Sequence, residues 1–112
     1  MAIDDHDWTF FSNYAHVLVC LAENPRARLR EVAERVGVTE RTALRLITHL
    51  DEAGILKREK EGRRNSYLID TSEHLRHPLE AHCTVGEMLG LIIEPAAIRQ
   101  LTRRFERANT EH

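Results

Sequence analysis

Residues Ala33–Leu56 read AERVGVTERTALRLITHLDEAGIL. The stretch holds two apolar rhythms of helical period, separated at Gly37. Before the break, Leu29, Val32, Ala33 and Val36 fall on one face of a helix over 29–36. Gly37 supplies the left-handed backbone that ends a helix at low steric cost. After it, Thr39 is a good N-cap, since its hydroxyl can accept an otherwise orphaned backbone N–H. The second helix then runs to about Ala53, burying Ala43, Leu46, Ile47 and Leu50, and Gly54 closes it. Ala33 is small enough for the two helices to cross closely. Two short helices joined in this way predict a helix-turn-helix.

Working outward, residues 8–23 carry an apolar stripe at Trp8, Phe11, Ala15, Leu18 and Ala22 and predict a helix capped by Asp7 and ended before Pro25. On the other side, ILKRE (55–59) and SYLID (66–70) are strand-like, and the KEGRRN between them is a turn with a basic tip. Residues 71–83 have no clear period and predict a connector, interrupted by Pro78. Thr84 and Glu87 have capping-box spacing at the start of TVGEMLGLI. Pro95 suits a first helical position, and Ile98, Leu101 and Phe105 make a stripe in the helix that follows. The expected fold is mostly α with a small β-hairpin wing. It divides into a winged helix-turn-helix over 8–70, a connector over 71–83 and C-terminal helices over 84–108.

Composition narrows the function. A chain of 112 residues with 30% charged and 42% apolar content fits one globular domain. No apolar run approaches the ~20 residues that span a bilayer. The acidic start MAIDDHDW is unlike a signal peptide, so a cytoplasmic location is expected. Cys20 lies in an apolar run and reads as a buried thiol, and no disulfide scaffold is expected. The net charge of −2 is segregated: residues 1–25 hold no Lys or Arg, while residues 26–64 carry 11 basic against 7 acidic side chains. That basic block coincides with the helix-turn-helix and the hairpin.

The second helix leaves Glu40, Arg41, Leu44, Arg45 and Thr48 off its buried face. A helix fits the major groove of B-DNA, and its N-terminal half reaches base edges. Arg41 and Arg45 lie one turn apart, and arginine pairs bidentately with guanine O6 and N7. Leu44 offers apolar contact to a thymine methyl, and Glu40 can accept from cytosine N4.

The segment LREVAERVGVTERTALRLITHLDEAGILKREKEGRRNSYLID (29–70) resembles the winged helix-turn-helix of bacterial regulators of the MarR and ArsR type. The resemblance rests on the VAERVGVTERT turn, the LDEAGIL exit and the EGRRNSYLI wing. Arg28 departs from it, standing where Ser or Thr is the common helix cap. The resemblance implies that the second helix reads the major groove through Glu40, Arg41, Thr42, Leu44 and Arg45, and Thr39 at its cap and Thr48 on its outer side are candidates beside them. It also implies that Arg63 and Arg64 on the wing reach the minor groove or phosphates, where a narrow groove attracts arginine, and the adjacent Asn65 is a further candidate. The expected function is a sequence-specific transcriptional regulator, a repressor that binds a pseudo-palindromic operator in double-stranded DNA as a homodimer. The expected dimer surface is Trp8, Phe11, Met88, Leu89, Ile92, Ile98, Leu101 and Phe105, apolar side chains beyond what the winged core needs.

Two alternatives stand beside it. One is a winged helix that binds protein in place of DNA. The other is a metal-responsive repressor, because HLRHPLEAHC brings His74, His77, His82 and Cys83 together, and imidazole and thiolate suit Zn²⁺ or Cu ions. Their spacing matches no standard zinc signature, so neither metal nor cofactor is expected. No Gly-rich phosphate loop, nucleophile elbow or zincin pattern occurs, so no enzymatic activity is expected. A small-molecule effector is not specified by the sequence.

Overall fold

The computed structural model describes residues 8–110. Its elements in chain order are α1 (Asn13–Glu23), α2 (Leu29–Val36), α3 (Glu40–Glu52), β1 (Leu56–Glu61), β2 (Arg64–Ile69), α4 (Val85–Leu89) and α5 (Pro95–Thr110). This is the mostly helical, winged architecture expected from the apolar periodicity.

The α2–α3 corner forms as its sequence requires. Gly37 takes φ 89°, and the N–H groups of Gly37 and Val38 both donate to the Ala33 carbonyl, at 2.9 and 3.0 Å. A side chain with a Cβ would be strained there. Thr39 Oγ1 accepts the Thr42 N–H at 3.0 Å and starts α3. Arg28, in the N-cap position of α2, gives no ordinary hydroxyl cap, but its backbone N–H donates to Glu31 Oε1 at 2.7 Å. Helices α1, α2 and α3 pack on one another around Val17, Leu21, Val32 and Ile47, all essentially inaccessible to water.

Strands β1 and β2 pair antiparallel, from Leu56 opposite Ile69 to Glu61 opposite Arg64. The wing is longer than the sequence reading placed it, because the turn is only Gly62–Arg63 and Lys60, Glu61, Arg64 and Asn65 all join the ladder. A positive φ of 67° at Gly62 matches a tight two-residue turn to the strand twist. Ile55 and Asp70 fall outside the strands, although Asp70 N–H still donates to the Ile55 carbonyl at 2.8 Å.

Helix α1 starts at Asn13 and not at Trp8. Trp8–Phe10 have no core to pack against and are exposed, and this aromatic and β-branched run has low helix propensity. The Asp7 cap lies outside the described residues. Ser12 precedes the helix without a side-chain cap.

The stretch from Thr71 to Thr84 is tied down by backbone bonds, among them Leu75 N–H to Cys83 O at 2.9 Å and Val85 N–H to Glu73 O at 2.8 Å. The Thr84–Glu87 capping box opens α4, and Pro95 opens α5. Helix α5 then folds back over β2 and α1. Arg104 donates from Nη1 to the Tyr67 carbonyl at 3.3 Å and from Nη2 to Ser66 Oγ at 3.2 Å. Both faces of β2 are covered in consequence, and Ser66 through Ile69 are all buried.

That packing corrects part of the expected dimer surface. Leu89, Leu101 and Met88 lie in the chain's own core and have little surface left to offer a partner. Phe11 and Ile98 are half-buried against that core, and Phe105 is half-buried. Only Trp8 and Ile92 of the eight stand exposed.

Candidate nucleic-acid interface

The buried face of α3 fixes its exposed one. With Ala43, Leu46, Ile47 and Leu50 in the core, the opposite side presents Glu40, Arg41, Leu44 and Arg45 to solvent. Leu44 is 45% exposed, a large apolar side chain in a charged surrounding. Among the described residues, neither Arg41 nor Arg45 forms a salt bridge. Helical rise separates them by ~6 Å along the axis, close to two base-pair steps of ~3.4 Å. Thr39 and Thr42 are committed to each other, the Thr39 hydroxyl donating to Thr42 Oγ1 at 3.1 Å. Thr48 is half-buried.

On the wing, Arg63 occupies the turn and is exposed, as is Asn65. Arg64 differs from its neighbour: it is half-buried, and its Nε is enclosed without a hydrogen-bond partner. Lys57 and Lys60 on β1 add two exposed cations that the motif reading passed over.

Two ion pairs hold this hairpin against the helical body. Arg58 Nε donates to Asp51 Oδ2 at 3.0 Å, linking β1 to the last turn of α3, and both side chains are about one-third exposed. Arg26 Nε lies 3.3 Å from Glu61 Oε1 near the wing tip, in more open surroundings. A third contact holds the same C-terminal end of α3 to α1, where the Tyr14 hydroxyl and His49 Nδ1 are 2.8 Å apart. None of these joins neighbouring residues in sequence, so apolar periodicity carries no sign of them.

The histidine–cysteine stretch does not converge. His74 Nδ1 donates to the Ala81 carbonyl at 2.9 Å, and His77 Nδ1 accepts the Leu79 N–H at 3.0 Å. Among the described residues no three His, Cys, Asp or Glu side chains are placed to hold a metal ion. Both cysteines are free, and burial pushes the Cys20 thiol up against the opposing pull of the Arg35 charge. No helix among the described residues is long and apolar enough to cross a membrane.

Comparison with known proteins agrees with this geometry. A riboflavin kinase of Thermococcus kodakarensis is 29% identical over 80 residues, covering 63% of this chain and 38% of that protein. The chain thus spans under two-fifths of that relative's length. Residues 16–57 match the family described as winged helix-turn-helix DNA-binding, from within α1 to the start of the wing. The segment that folds as a helix-turn-helix is the segment that this DNA-binding family matches.

Proposed function

We propose that the protein is a sequence-specific transcriptional regulator of the MarR or ArsR type, a cytoplasmic repressor acting as a homodimer on a pseudo-palindromic operator. The observation that carries the reading is the outer face of α3, where Arg41 and Arg45, in no salt bridge among the described residues, flank exposed Leu44 with a cationic wing alongside. One recognition helix spans too few base pairs for useful selectivity. Two such helices about one DNA turn apart, ~34 Å, double the number read. Repression needs only that the dimer occupy its site. The kinase activity of the Thermococcus relative is not carried over, because the sequence has no Gly-rich phosphate loop and the likeness covers a minor part of that protein.

Selection of bound sequences from a random duplex pool tests the reading, followed by single substitutions. Arg45→Ala should weaken the selected site by ~1–3 kcal/mol and relax preference at one position. Arg63→Ala should lower affinity for every sequence and reduce the salt slope by about 1. A protein that selects no sequence, or binds without salt dependence, is a protein-binding winged helix and not the regulator described.

A further inference from the structure

The largest exposed apolar side chains gather around one feature. Phe10 is 89% exposed, Leu79 80% and Leu91 78%, and all three frame an open groove of about 940 Å³. The groove runs between the segment before α1, the 71–83 connector and α4. Its floor is the core itself, reached through Leu18, Leu50, Ile55, Val85 and Met88. Trp8 stacks edge-on against Phe10, with ring centroids 5.0 Å apart, so the rim carries an aromatic knob beside the hollow. Aromatic side chains bury about 150–250 Å² each. Trp8 and Phe10 would thus supply a large share of the ~800 Å² per partner in a stable interface.

We propose that this groove seats a second copy of the chain, related by a two-fold axis, and so forms the dimer interface. The proposal rests on the dimeric reading above and replaces most of the surface first expected for it. A two-fold interface brings one patch against itself, so it needs a protrusion and a hollow side by side, as the Trp8–Phe10 knob and the groove are. The rim charges fit the same symmetry. Arg76 and Glu80 both line the groove, both are exposed, and neither forms a salt bridge among the described residues. The two-fold sets Arg76 of each copy against Glu80 of the other. Only the far end of α3 is covered, through His49, Leu50 and Ala53, so Arg41 and Arg45 stay free for DNA.

Sedimentation equilibrium of the full chain over micromolar concentrations, without DNA, tests the interface. The wild type should be a dimer. Leu91→Glu should raise the dimer dissociation constant by on the order of 100-fold, because the change enters a two-fold interface twice and leaves each charge unpaired. Arg76→Glu and Glu80→Arg should each weaken the dimer, and the two together should restore it. Phe105→Glu should leave it intact. The position is exposed at Leu91, and circular dichroism of each variant reports whether the fold survives. A monomeric wild type overturns the proposal, whether or not the groove takes up an apolar small molecule. So does a dimer broken by Phe105→Glu but not by Leu91→Glu, or a charge swap that fails to restore pairing. A dimer of this form that selects no DNA sequence refutes the regulator reading and leaves the interface standing.

Discussion

Breaking the Asp51–Arg58 pair should disable the wing without touching its tip. The pair joins the last turn of α3 to the third residue of β1, Nε to Oδ2 at 3.0 Å, with each side chain about one-third exposed. That places it between exposed pairs, worth ~0.2–1 kcal/mol, and buried pairs, whose disruption costs ~3–5 kcal/mol. A coupling of about 1 kcal/mol is expected from a double-mutant cycle with Arg58→Met and Asp51→Asn in urea. The larger effect is mechanical. From Arg58 to Arg63 the hairpin extends ~17 Å at ~3.4 Å per residue. Beyond Arg58 the more exposed Arg26–Glu61 pair is the remaining ionic tether among the described residues. A tilt of ~10° at the base would move Arg63 by ~3 Å, enough to break a hydrogen bond to phosphate, which holds only to ~3.2 Å. Arg58→Met should therefore flatten the salt dependence of DNA binding by about 1, as Arg63→Ala does. The two together should add little. Asp51→Arg combined with Arg58→Asp should recover the slope, which a direct phosphate contact from Arg58 would not allow. Full additivity of Arg58→Met with Arg63→Ala, or a coupling of zero in the cycle, would refute the tether.

Two further outcomes check the fold beneath the site. Ile47→Ala removes a fully buried side chain at the crossing of α3 with the other helices, and should cost ~2–5 kcal/mol by calorimetry or urea titration. A loss under ~1 kcal/mol would contradict the packing described. Half-buried Cys83 should react with an aromatic disulfide reagent at neutral pH well before Cys20, whose thiol is both buried and shifted upward by that burial. Equal rates in the native protein would mean that α1 is not packed as stated.

What was legible in the sequence was what neighbours along the chain decide. The Gly37 break, the Thr39 cap, the Thr84–Glu87 box and the Pro95 start each act within a few residues, and each forms. The apolar face of α3 follows from its period alone, and so does the identity of the side chains left outside. Contacts between distant segments were not legible. Arg104 reaches Ser66 and Tyr67 across 38 and 37 positions, and no local pattern marks an arginine that will bond to the middle of a strand. An apolar stripe states that a face must be covered and says nothing of the cover. Leu101 and Leu89 were therefore assigned to a partner when their own chain buries them. The same reasoning missed Phe10 and Leu79, because side chains on irregular segments have no period to be read. The apolar surface left exposed thus overlaps only in part with the one that the helical stripes indicated. It lies where irregular chain passes over the core, and exposed apolar surface of this kind is what an interface uses.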